Sequence, residues 1–292
     1  MTHQTKITTE PTEVFLEENE AFNEEMMEAY LAEQMKKDGY EIGKHNVDML
    51  NDTEFAEIRL NTFGASDSAV LLDVAYSSKK VPRKTTRELL DEKINEDWDE
   101  SIGMKPAVRK GKELEPMIID KITELIKGKV LKPKHMYKST HGDGLTTNFD
   151  GVVFEATNKE GDITDTYTPM PMEIKVCSFF GRSNYNWGKA VSEFEGDIIK
   201  KLVKDKQFVP GTHTEVQAYI RHMAERVGIP AYYYTQIQQQ MMFLDSPHGY
   251  LAVMDDIDWT LYFYKVPRDE SVLEELHKRA RIAYEELLKH KK

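Results

Sequence analysis

Hydrophobic positions recur at helical spacing over residues 13–38. Phe15, Phe22, Met26, Tyr30, Leu31 and Met35 fall near one face, and Gly39 stands where such a helix would stop. Two readings of this segment stay open: a solvated acidic helix packed by its Met/aromatic stripe, or an arm for regulation or partner docking. From Arg59 the texture changes. Ser66 is suited to cap a short helix through Leu72, and Thr85 or Thr86 another through about Ile94. A longer helix is predicted from about Lys105 to Lys127, closed by Gly128. Three β segments follow, Val130–Tyr137, Thr147–Phe154 and Met170–Val176, separated by Gly- and Asp-rich turns. Helices are predicted at about 184–205, 213–227 and 231–244. Then come strands Gly249–Met254 and Thr260–Val266, and a final helix over 270–290 with Leu273, Leu276, Ala280, Ala283 and Leu287 on one stripe.

This order implies one mixed α/β domain, residues 59–292, behind an acidic helical arm, residues 1–58. Charge is what separates the two. The chain carries a net charge of −12, but residues 1–58 hold fifteen acids against four bases, and the remainder is nearly neutral at −1. The main domain therefore has room for a basic groove, and the arm is expected to be removable through residue 50 with folding intact and with any nucleic-acid binding tightened. Composition excludes several other classes. The single cysteine, Cys177, rules out a disulfide framework, a four-cysteine zinc site and a cysteine-ligated iron–sulfur cluster. Apolar runs such as Ala69–Leu72 and Tyr250–Met254 are too short to span a membrane. The N-terminus does not read as a signal peptide, and no G-x-x-x-x-G-K-[ST] occurs. A soluble protein of a reducing compartment is the expectation.

The chemistry concentrates in Met172-Glu173-Ile174-Lys175-Val176. On a strand Glu173 and Lys175 point one way, and Met172, Ile174 and Val176 the other. About twenty residues earlier, Asp150 stands at a second strand beside Gly151. Neighbouring strands lie under about 5 Å apart, so Asp150 and Glu173 could share one hard cation through oxygen ligands, and Mg²⁺ suits such a site. Without context, a surface salt bridge explains Glu173 and Lys175 equally well. Asp91-Glu92-Lys93 has a similar spacing, and its helical setting reads as a solvated face. Glu115, on the helix over 105–127, could reach the same metal, while Glu113 reads as an exposed acid. In Gln236-Ile237-Gln238-Gln239-Gln240 one buried amide could orient a water or hold a phosphate; the plain alternative is a polar, half-exposed helix.

Taken in order, these residues resemble the PD-(D/E)XK nuclease superfamily, and within it the YqaJ/lambda-exonuclease family of phage recombination nucleases, from about Arg59 to Met254. Arg59-Leu60 with Gly64-Ala65-Ser66-Asp67-Ser68 looks like that family's first motif, and Gly111 with Leu114-Glu115-Pro116 like its helix acid. Asp150-Gly151 is similar to its strand aspartate, Glu173-Ile174-Lys175 to its Glu-x-Lys, and Gln236-Ile237-Gln238 to its Gln-x-Gln helix. The resemblance implies a PD-(D/E)XK core, a mixed central sheet flanked by helices. It implies metal ligation by Glu115, Asp150, Glu173 and the Ile174 carbonyl, with Mg²⁺ as the ion and Mn²⁺ as a substitute. Lys175 would position and activate water, supported by Gln236, and Arg59 and Ser66 would grip phosphate near a 5′ end. Arg59 paired with a nearby acid such as Glu57 is the structural alternative.

The implied function is 5′-to-3′ exonuclease action on double-stranded DNA ends, giving mononucleotides and 3′ single-stranded tails. The implied setting is the cytoplasm of a bacterial host, with a single-strand annealing protein as partner and a homo-oligomeric, three-subunit ring. A structure- or sequence-directed endonuclease on the same core, or a catalytically silent DNA-binding or partner-docking module, are the alternatives. Two departures stand out. Residues 184–228 lengthen the path from Lys175 to Gln236 and read as an inserted helical element, and residues 1–58 have no counterpart in the motif set.

Overall fold

Two residues decide how the β segments divide. Pro133 cannot donate to a strand ladder, and Asp150 belongs to no strand. The structure is a computed structural model that describes residues 24–46, 52–74, 84–99, 101, 104–126, 129–156, 167–177, 179–190, 213–257 and 259–291. In it the stretch expected as one strand over 130–137 is cut at Pro133 into β3 (Lys129–Leu131) and β4 (His135–Ser139), which join different sheets. The stretch expected over 147–154 likewise becomes β5 (Leu145–Thr147) and β6 (Gly151–Ala156).

With β1 (Tyr40–Asn46), β2 (Phe63–Gly64), β7 (Tyr167–Cys177), β8 (His248–Asp255) and β9 (Leu261–Pro267), the strands form two sheets. The larger has the order β3-β6-β7-β8-β9, with β7 and β8 parallel and every other pair antiparallel. The smaller, β1-β4-β5-β2, was not expected; it is antiparallel except for the short β2–β5 pair.

Among the described residues there are eight α-helices: α1 (Glu24–Lys37), α2 (Asp52–Asn61), α3 (Ser68–Leu71), α4 (Thr86–Ile94), α5 (Pro106–Ile126), α6 (His213–Val227), α7 (Ala231–Leu244) and α8 (Glu270–His290). Thr85 caps α4 by accepting from the Glu88 N–H, and the Glu88 carboxylate returns a bond to the Thr85 N–H, a capping box. Ser66 does not cap a helix; it lies in a 3₁₀ turn over Ala65–Asp67 that leads into α3.

Alternation along β7 sorts the larger sheet's two faces. Met170, Met172 and Ile174 pack with Ile118 and Ile122 of α5, while Cys177 joins the main core with Ile237 and Met241 of α7. That face also carries Glu173 and Lys175. Helix α7 is buried on nearly every side, and Gln238, Gln239 and Gln240 have no exposed surface. The half-exposed polar helix considered for this run is therefore not what folds.

Residues 24–46 do not stand apart as an arm. Leu31 and Met35 of α1 are fully buried in the main core, Tyr40 rests on Phe243 of α7, and β1 pairs with β4. The reason is an apolar face that needs a partner water cannot supply; it is formed by Met27, Leu31 and Met35, while Met26 of the expected stripe is exposed. Residues 13–23 of the expected first helix lie outside the described residues. So do residues 191–212 of the expected insertion; in its described parts the helix expected over 184–205 is replaced at 184–190 by the end of the 3₁₀ turn Phe179–Asn184 and the 3₁₀ turn Trp187–Lys189, and helix α6 follows.

Candidate active site

Strand β7 is longer than its neighbour β6, and the mismatch gathers a polar cluster. The β6–β7 ladder ends at the pair Gly151–Met172, while β7 runs on to Cys177 paired only with β8 on its other side. The open edge of this overhang would leave the Ile174 N–H without a partner; Asp150 Oδ2 accepts it at 2.9 Å. Gly151 lets Met172 pack close across the last pair, since a Cβ there would lie 2.6 Å from the Met172 methyl. Asp150 is fixed by its own bond beside the residues on either side of Ile174. Lys175 Nζ is 3.6 Å from Asp150 Oδ2 and donates a short hydrogen bond to Glu173 Oε1.

Glu173 is 2 % exposed, and its second oxygen accepts from Gln240 Nε2 at 2.7 Å. Burial first, and the Asp150 charge second, push its carboxyl above the usual range, against the opposing pull of Lys175 and Gln240. Burial works the other way on Lys175, but the Glu173 and Asp150 carboxylates outweigh it and hold the ammonium protonated. Glu115, from α5, is ion-paired to Lys132 at 3.0 Å. Its carboxyl is also raised, by burial and then by Asp150. Glu113, 68 % exposed, faces solvent as expected.

The donor set is one of hard oxygens that repel one another, the kind a divalent cation suits. Gln240 Oε1 adds a buried acceptor with no hydrogen-bond partner among the described residues. Lys132 pairs with Glu115, and Lys175 with Asp150 and Glu173. Among the described residues no three His, Cys, Asp or Glu side chains are gathered closely enough to hold an ion.

The amide that meets Glu173 belongs to Gln240 and not to Gln236. Gln236 is half-buried one turn earlier, on the flank of the stripe formed by Tyr233 and Gln240. The run holds two overlapping Gln-x-Gln triplets, and helix register decides between them. Successive residues of a helix turn by about 100°, so three consecutive amides serve three elements. Gln238 donates to the Pro267 carbonyl and accepts from the Asp269 N–H, Gln239 donates to the Thr146 carbonyl, and Gln240 reaches Glu173.

Gln239 also lies 3.4 Å from the Phe63 carbonyl, so the segment bearing Arg59 and Ser66 is secured to the same helix one residue from the Glu173 contact. Arg59 donates to Ser66 Oγ at 2.8 Å and pairs with Asp67 at 3.2 Å, not with Glu57. Asp67 further accepts from Lys93 at 3.3 Å and from the Gly64 N–H at 3.0 Å. Lys93, expected on a solvated face, is 5 % exposed and donates to the Arg59 carbonyl. Two cations against one carboxylate leave this cluster net positive, with Ser66 exposed at its surface. Lys93 and Gln240 are the residues the sequence did not single out. The first sits three residues beyond Leu90, on the buried face of α4, a spacing that could have marked it.

The YqaJ-like viral recombinase domain matches residues 54–245. No curated protein matches the chain. Similar solved structures include LHK-Exo, an alkaline exonuclease from Laribacter hongkongensis, in complex with dAMP, at 17% identity over 81% of this chain and 93% of that one, with a TM-score of 0.48. A phage related exonuclease from Haemophilus somnus 129PT is similar at 12% identity, covering 79% of this chain and 96% of that one, with a TM-score of 0.46. The family match spans about two thirds of the sequence and takes in Arg59, Glu115, Asp150, Glu173 and the whole of α7, and the chain belongs to the YqaJ-like viral recombinase family.

Proposed function

We propose that the chain is a metal-dependent 5′-to-3′ exonuclease that acts on double-stranded DNA ends, releases mononucleotides and leaves 3′ single-stranded tails. The observation that carries this reading is the overhang of β7 past β6, which draws Asp150, Glu173 and Lys175 together with Gln240 behind Glu173. On this reading Asp150, Glu173, Glu115 and the Ile174 carbonyl hold Mg²⁺, or Mn²⁺ in its place, and Glu115 exchanges Lys132 to do so. Bound there, the ion would supply Lewis acidity at a phosphoryl oxygen and acidify a water.

The chain's own residues do the rest. Gln240 fixes the rotamer of Glu173. Lys175, beside both acids, donates to the phosphate oxygen on which negative charge develops. It also positions and activates the attacking water. Arg59 and Ser66 take the terminal 5′-phosphate, a dianion that suits a guanidinium fork and a hydroxyl. Phosphate contacts fix register without reading bases, so cleavage is sequence-indifferent.

The test is digestion of 5′-phosphorylated linear duplex with and without Mg²⁺, beside a closed-circle control. Mononucleotides released from 5′ ends only with Mg²⁺ are expected, together with loss of release in Glu173→Gln and Asp150→Asn proteins that still bind DNA. Cutting of the closed circle would make the chain an endonuclease, and DNA binding without any hydrolysis would make it a silent module.

A further inference from the structure

Lys175 looks two ways. Its acids lie on one side, and on the other its Nζ sits 5.5 Å from the centre of the Tyr233 ring. From Tyr233 a chain of rings leads away from these acids. Tyr185 lies nearly parallel to Tyr233, 17° between planes at 6.5 Å. Trp187 leans on Tyr185 at 5.1 Å and on Tyr262 at 4.4 Å, and Tyr232 flanks Tyr233 at 4.2 Å. These rings pack against the main core, and Tyr264 beneath them is fully buried. Tyr185, Trp187, Tyr232, Tyr233 and Tyr262 are instead all partly exposed, and the turn carrying two of them presents exposed Asn184, Asn186, Gly188 and Lys189.

We propose that this aromatic tier, centred on Trp187, is a stacking platform for one unpaired nucleobase of the strand being cut. The inference rests on the nuclease reading above and adds a base-binding site to it. A phosphate drawn to Lys175 carries its nucleosides within one nucleotide of Tyr233, so the neighbouring base meets the tier without a detour. Every base has a π-face, so stacking on aromatic side chains is indifferent to sequence, as the phosphate contacts are. A base lying on a protein ring has left its neighbour in the duplex, so the tier favours the separated strand over the paired one. It thereby rewards fraying at the end where hydrolysis occurs. Nucleobases are favoured over an apolar peptide because the tier begins at the ammonium that the phosphate itself would meet.

The test uses the full chain, Mg²⁺ and 5′-phosphorylated duplex bearing one abasic residue in the digested strand. Wild-type protein is expected to slow about tenfold when the abasic residue reaches the cut site, the scale of one lost stack. Trp187→Ala is expected to digest normal DNA more slowly and to pass the abasic residue with less than about twofold further slowing. Trp187→Phe should restore the discrimination, which a purely structural role would not require. Passage of the abasic residue at full speed by wild-type protein would overturn the platform even if the alanine variant does not fold. So would discrimination that survives Trp187→Ala. Either result leaves the nuclease reading standing, whereas no hydrolysis of normal duplex would remove both.

Discussion

At the scale of single residues, the site depends on which amide of α7 faces Glu173. Gln240 donates to a carboxylate that has 2 % of its surface exposed, and hydrogen bonds to charged groups contribute about 1.5–3 kcal/mol. Gln240→Ala is therefore expected to lower hydrolysis about ten- to a hundredfold, and Gln236→Ala less than about threefold, in steady-state assays at saturating Mg²⁺. Equal losses in the two variants would return the role to Gln236. Gly64 offers a second residue-scale test. Its φ of −74° suits any residue, yet a Cβ there would fall 1.4 Å from Arg59 Nη1. The guanidinium end is what must move, so Gly64→Ala is expected to fold cooperatively and to lose most preference for a 5′-phosphate over a 5′-hydroxyl, as Arg59→Ala would. Retained preference would show that Arg59 is not the phosphate ligand. At this scale the sequence was legible where strand alternation applies: Glu173 and Lys175 share a face because a strand permits nothing else. It was not legible within the five-residue run Gln236–Gln240, where composition is uniform and only the docking of α7 sets the register.

Elements were read well where their own periodicity decides them and poorly where a partner does. Helices over 213–227, 231–244 and 270–290 fold as α6, α7 and α8 within the same bounds. The smaller sheet escaped notice because its strands are two to seven residues long and are defined by their pairing. The cluster of Arg59, Asp67 and Lys93 shows the same limit, since it joins α2, the 3₁₀ turn and α4, which no local pattern relates. Burial pushes the Asp67 carboxyl up, but Arg59, Lys93 and the Gly64 N–H outweigh it and hold it below the usual range. A depressed folded value stabilises the fold above the unfolded carboxyl's pKa of about 3.9 and loses that contribution as pH falls through the folded value. Asp67→Asn is accordingly expected to cost about 3 kcal/mol at pH 7, as removal of one partner from a buried ion pair does. It should also flatten the fall in stability below about pH 4. Urea unfolding at pH 7 and pH 3 measures both, and parallel losses for wild type and variant across that range would mean that Asp67 does not carry the acid sensitivity.

For the molecule as a whole, the question is how much of the N-terminal segment the fold requires, and here charge and packing point in opposite directions. Net charge marks residues 1–58 as one acidic unit, and on that basis the segment looked dispensable. Packing divides it. Leu31 and Met35 are fully buried, Met27 and Tyr40 are each 5 % exposed, and β1 supplies an edge of the smaller sheet. Net charge counts ionisable side chains and says nothing of the apolar ones that pack, which is why the composition shift misplaced the boundary. Removing a buried Leu or Met side chain costs about 2–5 kcal/mol, so losing three of them exceeds the total stability of many domains, about 5–15 kcal/mol. Truncation to Asn51 is therefore expected to give aggregated or unfolded protein. Truncation to Glu24 removes none of these contacts, yet it takes away five acids and one lysine. That shorter deletion should melt within a few degrees of the full chain and bind duplex more tightly at low salt, with the difference fading as salt screens charges beyond about 8–10 Å. Calorimetry and salt-titrated DNA binding on the two truncations separate the effects. A folded, active protein starting at Asn51 would show that α1 and β1 only cover a core complete without them.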